Sequence, residues 1–472
     1  MLTRDQAESI FDRIRHHSSA DEVELLISGG RSALTRFANN TIHQNVAEES
    51  YHISVRTSFG AGSLTGGRTA RASTNKLDDE SLRRVVQSAE ALTRVQQPEP
   101  EMLAMPSKDE VTTPAIDCSQ RPQRYFEATA RITPEERADT VSRIVTIAKK
   151  HSLATAGVYS NADVVEGIFN TRGVADWHEQ TLAEVSITML DATSSGWQKA
   201  NAADVAQLNP AHLAAVAAQK AVDSVYPREL LPGKYTVILE PAAVLDIVGF
   251  MFWDFSGSAV LEKRSFLSDR IGMQLFGENI TVWDDVYHPL QTGVPFDGEG
   301  VQRHPVKLID KGMVQELVYA RASARRMEES ELREKVGAIG PTGHGFSLPN
   351  EMGEAPLNIV FGLSEQSEIQ TTEQMVASTE RGVLVTRLWY IREVDPYQKI
   401  VTGMTRDGTF LVEDGKVRFG VRNFRFNQSL IQMLQNVERM GQPQRSSGEE
   451  SLDMVVPAMT VRDFNFTETT KF

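Results

Sequence analysis

The 472-residue sequence contains one cysteine, Cys118. A lone thiol forms no intramolecular disulfide and builds no thiolate zinc cage. Long apolar runs are also missing, and a membrane-crossing helix needs about twenty such residues in a row. The opening M-L-T-R-D-Q-A-E-S-I has no apolar leader core. Neither export by a standard signal nor a membrane span is expected, and the cytoplasm is the expected location. Basic charge is in short supply, with 49 Lys and Arg against 63 Asp and Glu and a formal net charge of −14. Phosphate binding needs clustered cations, so nucleic acid is not expected as a partner.

Motifs that carry chemistry are equally scarce. A catalytic zinc site is usually announced by two histidines on one helix face with a glutamate beside the first. None of the ten histidines forms such a pair. His16 and His17 are sequence neighbours at a helix end. His178-Glu179 has no second histidine within a turn and reads as a cross-strand or surface position. His288, His304 and His344 could meet in space, though loop or core roles suit each of them better. There is no G-x-S-x-G elbow, and Ser256-Gly257-Ser258 lacks an identifiable base. Cys118 sits beside Asp117 with no histidine near. The glycine-rich stretches Gly60 to Gly67 and Gly343-His344-Gly345 lack the Lys-Ser/Thr of a phosphate cradle. The acidic pairs Asp284-Asp285 and Asp297/Glu299 read as turn residues with solvated carboxylates rather than a calcium or magnesium site.

What is present is an ordinary globular composition, 40% hydrophobic and 24% charged, in a chain long enough for two or three domains. Leu2 to His16 reads as a helix capped by Thr3, and Glu22 to Ser28 as a strand running into Gly29-Gly30. Ser32 to Gln44, turning at Asn39-Asn40, and Tyr51 to Phe59 read as further strands, with a helix over Leu77 to Val95. The order repeats. T-P-E-E at Thr133 to Glu136 starts a second helix. Strands follow at Ala154 to Ser160, Val164 to Asn170 and Leu182 to Asp191, then a helix at Pro210 to Val225. Phe37, Ser54, Gln87 and Ala89 recur as Phe169, Ser186, Gln219 and Ala221 at a constant offset. The expected fold is α+β: an N-terminal half of helix–strands–helix units, open to a duplication, and a strand-rich, barrel- or sandwich-like C-terminal domain with a few helices. The divisions are 1–95, a 96–130 linker, 131–229 and 230–472. In the last, a strand at Tyr235 to Leu239 precedes an apolar helix from Pro241 to Asp254. Short runs such as Gly382 to Tyr390 then alternate with turns such as Lys311-Gly312 and Asp414-Gly415. Gly441 to Glu450 reads as a polar hinge before an apolar run from Met454 to Val461.

Ordered strings in this C-terminal part resemble the TldD/PmbA metallopeptidase family. They are L-E-K-R-S-F-L-S-D-R-I-G-M-Q-L-F (Leu261 to Phe276), I-T-V-W-D-D (Ile280 to Asp285), P-F-D-G-E-G-V (Pro295 to Val301), L-I-D-K-G-M-V (Leu308 to Val314), Thr342-Gly343-His344, E-R-G-V-L-V-T (Glu380 to Thr386) and T-G-M-T-R-D-G-T-F-L-V-E-D-G-K-V (Thr402 to Val417). F-A-N-N-T-I-H-Q at Phe37 to Gln44 agrees with the N-terminal half. The resemblance implies two kinds of subunit: a TldD type holding zinc on H-E-x-x-x-H and a C-terminal cysteine, and a PmbA (TldE) type without that motif. Here the matching helix window is L-D-I-V-G-F, with Leu245 and Phe250 in the histidine positions and Asp246 in that of the glutamate. Arg445 to Ser451, R-S-S-G-E-E-S, carries no cysteine. The implied role is a non-catalytic, substrate-holding subunit without its own metal or catalytic residues. It would be paired with a zinc-bearing TldD-like subunit and hold unfolded peptide against a sheet edge. Phe296, Trp389 and Arg392 are the candidate groove residues, although core packing or interface burial suits Trp253, Trp389 and Tyr390 better. Two alternatives stand beside it. One is an autonomous metallopeptidase using His288, His304, His344 and the acidic pairs. The other is a homodimeric peptide-binding or regulatory protein, such as the gyrase modulator of the family's older name.

Overall fold

The computed structural model describes residues 1–61, 63, 66–111, 121–363 and 368–470. Cys118, Asp117 and part of the 60–67 glycine stretch lie outside them. Among the described residues no helix is long and apolar enough to cross a membrane.

The N-terminal half is one antiparallel sheet of six strands built from two copies of one unit. The first has α1 (Arg4–His17), β1 (Glu22–Ala38), β2 (Thr41–Phe59), β3 (Arg68–Thr74) and α2 (Asp79–Val95). The second has α3 (Pro134–Lys150), β4 (Ala154–Asn170), β5 (Ala175–Leu190), β6 (Ser195–Ala202) and α4 (Pro210–Asp223). Local chemistry starts the helices as expected: Thr3 and Thr133 form capping boxes with Gln6 and Glu136, and Asp78 caps α2.

The strand order is β3-β2-β1-β4-β5-β6, so the units meet back to back at β1 and β4. The duplication shows in the hydrogen-bond register. Glu22 pairs with Ser58 in the first hairpin, and Ala154 pairs with Leu190 in the second. Both partners are displaced by the same 132 residues that separate Arg31 from Asp163. Those two residues face each other across β1 and β4 and mark the local twofold, their side chains joined by a 2.7 Å ion pair.

All four helices cover one face of this sheet. Val23, Leu25, Ile27, Ile53, Val55 and Phe169 pack on α1 and α2, while Phe37, Tyr159, Val185, Ile187 and Met189 pack on α3 and α4. The opposite face, with Leu26 and Ile168, meets the C-terminal domain through Val111, Phe296 and Val301.

Three expectations need correction here. Gly29-Gly30 does not end the first strand, because β1 runs on through it. Both glycines have positive φ, and a Cβ on either would fall well under 3 Å from the Ser50 or Asp163 carbonyl. They let the central strand lie against both neighbours. β4 is likewise one strand, not two. β6 was not anticipated, since S-G-W-Q-K-A-N-A has little strand propensity and is held by its pairing to β5.

The C-terminal domain is strand-rich, with a larger sheet that curls into a half-barrel. Its strands are β7 (Gly233–Leu239), β8 (Thr281–Asp284), β9 (Val306–Asp310), β10 (Met313–Val314), β11 (Ile359–Gly362), β12 (Arg381–Val385), β13 (Leu388–Asp395), β14 (Ile400–Thr405), β15 (Thr409–Glu413), β16 (Lys416–Gly420), β17 (Phe424–Ser429), β18 (Val437–Met440), β19 (Gln444–Ser446), β20 (Met454–Val456) and β21 (Met459–Thr469). Among the described residues one sheet runs β10-β9-β8-β11-β20-β19. The larger one runs β13-β14-β17-β21-β7-β12-β15-β16, with β18 on β21. The helix α5 (Pro241–Phe252) follows β7 with Pro241 in its first turn, and its apolar side chains join the main core.

Gly382 to Tyr390 is two strands, not one. Between them Thr386 Oγ1 donates to the Asp407 carbonyl and Arg387 pairs with the Asp407 carboxylate at 2.9 Å, anchoring a turn instead of a ladder. Met454 to Val461 also divides, at Pro457, which has no N–H to give.

Candidate functional site

The helix α5 and the segment 445–451 lock into each other. Gly249 faces Ser451, and a Cβ there would fall well under 3 Å from both the Cβ and Oγ of that serine. Gly448 sits as closely on Leu245 and Asp246. Asp246 is fully buried. Its carboxylate accepts long, 3.4 Å hydrogen bonds from the backbone N–H groups of Leu388, Glu449 and Glu450. Burial pushes it up to about 7, against the pull of Arg387 and those amides. Leu245 is wholly buried, and Phe250 stands at the edge of a cavity.

The same segment is tied outward. Glu450 accepts from the Tyr390 and Ile391 amides of β13 at 2.8 and 3.2 Å. Asn201 of β6 donates to Ser447 and Asp453, and Lys199 donates to the Gly448 carbonyl. What reads as a polar hinge in the sequence is a junction between both halves of the molecule.

Two cavities flank this junction. One, of about 640 Å³, is lined by Gly249, Phe250, Trp253, Lys399 and Glu449 to Leu452. Lys399 is buried there, paired with Asp254 and, at 2.6 Å, with Glu393. The other, of about 710 Å³, opens between the N-terminal sheet and the C-terminal domain and is lined by Glu166, Phe296, Asp297 and the 343–347 loop among others. Leu452 lines both. Trp253 of the first stacks on Phe346 of the second with ring centres 6.3 Å apart.

The acidic pairs are not solvated turn residues, because their carboxylates are enclosed. Asp284 is 1% exposed. It accepts from the Leu357 and Asn358 amides at 2.6 and 2.8 Å and pairs with Arg303 at 3.1 Å. Burial opposes its charge, but His344, Arg303 and those amides outweigh it and hold the carboxyl below the usual range. Asp297 accepts from the Glu299, Val301 and Gly345 amides at 2.8–2.9 Å. Burial, reinforced by neighbouring Glu299, raises it.

His344 is a core residue. Its Nδ1 bonds Thr342 Oγ1 at 3.0 Å and its Nε2 lies 2.9 Å from Asp284, a close contact rather than a straight hydrogen bond. Burial lowers its pKa, and it lowers those of His288 and His304 too. His178 lies in β5 across from Glu166. Among the described residues no three His, Cys, Asp or Glu side chains converge as metal ligands.

Phe296, Trp389 and Arg392 are not gathered into one groove. Phe296 lines the larger cavity, while the other two lie on β13 and line neither cavity. Trp389 is flanked by the guanidinium groups of Arg387 and Arg406, each 4.8 Å from its ring, and Arg392 lies 3.9 Å from Glu450. Trp253 and Tyr390 are 47% and 59% exposed in the single chain, so core packing does not account for them, and burial at a subunit interface stays open. Glu450 falls inside the R-S-S-G-E-E-S string without being marked by it, and Glu166 belongs to no motif. Only the fold reveals them.

Residues 232–468 match the model of the PmbA/TldA metallopeptidase C-terminal domain, and residues 23–93 match that of PmbA/TldA metallopeptidase domain 1. The chain is 22% identical over 387 residues to Metalloprotease PmbA of Escherichia coli O157:H7, covering 79% of this chain and 78% of that protein. It is 21% identical over 430 residues to the Metalloprotease PmbA homolog of Haemophilus influenzae, covering 88% of each. The crystal structure of TldE from Thermococcus kodakarensis superposes with a TM-score of 0.80 at 17% identity, over 98% of this chain and 100% of that one.

Proposed function

The chain belongs to the PmbA/TldD metallopeptidase family, and from that premise we propose that it is the non-catalytic, substrate-holding subunit of a two-subunit zinc peptidase. The observation that carries this reading is the interlock of α5 with residues 445–451. The resemblance puts a metal between this helix and this segment in the zinc-bearing subunits. Here the two are in direct contact, Gly249 against Ser451 and Gly448 against Asp246. Leu245 and Phe250 have no lone pair for Zn²⁺, and the Asp246 carboxylate is engaged by three backbone amides. The residues present do not fit the metal, so zinc chemistry is assigned to a TldD-like partner, and the pair to the cytoplasm.

The two cavities that share Leu452 supply the holding function. Their linings mix apolar side chains such as Phe250, Trp253 and Phe296 with charged ones such as Lys399, Glu166 and Asp297, a surface suited to an extended peptide. A metal carried by His288, His304 and His344 fits less well. His344 already contacts Asp284 and Thr342, and Asp284 is held by Arg303.

The test is metal analysis and peptide cleavage by the purified chain, alone and mixed with a TldD-like subunit. No stoichiometric metal alone, with metal and chelator-sensitive cleavage in the mixture, is the expected result. One tightly held metal per isolated chain, with cleavage, would overturn the proposal.

A further inference from the structure

The larger cavity contains two carboxyl groups, Glu166 and Asp297, that no cation neutralises among the described residues. Glu166 projects from β4. Its register neighbours are Ser28 on β1 and His178 on β5, and Ser28 in turn faces His52 on β2. The Glu166 carboxylate makes no hydrogen bond or ion pair among the described residues, and burial raises its pKa. Asp297 lines the same cavity, fixed by three backbone amides and with no ion pair to a cation among the described residues.

The other charged groups of the cavity are engaged elsewhere. Arg71 holds Glu24 at 2.6 Å and the Leu348 carbonyl at 2.8 Å. Arg303 holds Asp284 and Asn358. Asp453 is taken by Arg445 and Asn201, and His344 lies against Asp284 and Thr342. Glu299, beside Asp297, is turned to Arg321. His178, across from Glu166, is held neutral by burial at about 4. His52 is exposed. The unmatched capacity of the cavity is therefore acidic, and Leu26, Val294, Phe296 and Leu357 supply apolar wall beside it.

We infer that this cavity binds the primary ammonium group of a peptide, α-amino or lysyl, at Glu166, with Asp297 adding negative charge to the same cavity. A compact cation with three donors suits a carboxylate that has no partner of its own, with the adjoining carbons against the apolar wall. The carboxyls belong to no three-ligand metal set among the described residues, which favours an ammonium over a metal ion. The inference rests on the peptide-holding reading above and names the group such a peptide would anchor by. Burial raises Asp297 to about 7 and Glu166 above its ordinary value, so a cation drawn into the cavity should displace protons as it lowers them again.

The experiment is isothermal titration of the full chain with three decapeptides of glycine, serine and alanine. One has a free N-terminus, one is N-acetylated, and one is N-acetylated with a single internal lysine. Amine-bearing peptides should bind about tenfold or more tighter than the acetylated lysine-free one. Which of the two retains the advantage identifies the α-amine or the lysine as the source. In Glu166→Gln, nearly isosteric, the three affinities should converge while the thermal midpoint is kept. For the wild type, titration in two buffers of different ionisation enthalpy should reveal proton release.

Equal affinity for all three peptides, an undiminished preference in Glu166→Gln, or no proton release would overturn the inference. Cleavage by the mixture with a TldD-like subunit is scored separately, so failure of the anchor and failure of the subunit reading remain distinguishable.

Discussion

Gly249→Ala is a sharp test of the lock between α5 and the 445–451 segment. In a free helix this change is favourable by about 1 kcal/mol, since glycine gives up more backbone freedom than alanine. Here the new methyl would fall on Ser451, within 3 Å of its Cβ as well as its Oγ, so turning the serine rotamer brings no relief. The segment itself must move, and overpacking of this kind costs about 1–3 kcal/mol. That movement also draws the Glu449 and Glu450 amides away from Asp246. The expected net effect is a loss of about 1–2 kcal/mol. Removing the obstacle should reverse the sign: in a Ser451→Gly background, Gly249→Ala should stabilise by up to about 1 kcal/mol. The assay is a double-mutant cycle on urea midpoints followed by tryptophan fluorescence, with limited proteolysis of the 445–453 segment as an independent readout. A coupling of about 2 kcal/mol is expected. Additive effects, or a stabilising Gly249→Ala in the presence of Ser451, would show that helix and segment are not locked.

Asp246 has a folded pKa near 7 against an ordinary value of 3.8. The stability it contributes is complete below about pH 4 and lost as pH rises through about 7. Asp246→Asn should therefore gain on the wild type over that window, at roughly 1.4 kcal/mol per pH unit, and parallel pH–stability curves would refute this. Gly30→Ala places a Cβ on the Asp163 carbonyl in a strand with positive φ. It should cost more than about 3 kcal/mol by urea denaturation, and a near-neutral result would contradict the register described here. Arg31→Ala strips the partner from Asp163, whose side chain is 2% exposed. A loss of about 1–3 kcal/mol is expected, and it should shrink when Asp163→Asn is combined with it.

Much of the fold could be read from local chemistry. Capping residues fixed the starts of α1, α2 and α3, and the turns at Lys311-Gly312 and Asp414-Gly415 have positive φ at both residues, a conformation that glycine and, less readily, aspartate accept. The offset linking Phe37 to Phe169 turned out to be the register of two hairpins. Errors came where distant contacts overrule local preference. Gly29-Gly30 looks like a break until Ser50 and Asp163 are seen pressing on it, and β6 is a strand only because β5 is beside it. The carboxylates of Asp284 and Asp297 looked solvated because amides far along the chain, at Asn358 and Gly345, satisfy them. For the site, L-D-I-V-G-F and R-S-S-G-E-E-S could each be picked out, but nothing in either string says that they touch. Glu166 was beyond reach altogether, because its role depends on partners it does not have.

The local twofold between Arg31 and Asp163 also bears on how the chain is made. When α1 through α2 have left the ribosome, β1 is paired on one side only, and its other edge must wait for β4. At about 5–20 residues per second, the 75 residues between Val95 and Asn170 (170 − 95) take roughly 4–15 seconds to arrive. During that interval the nascent chain carries a long, bare strand edge, the kind of surface that recruits any strand at hand. Because β4 is built as a copy of β1, the edge it completes would accept the same edge from a second nascent chain. Synthesis rate across residues 96–153 therefore sets how long correct closure competes with pairing between ribosomes.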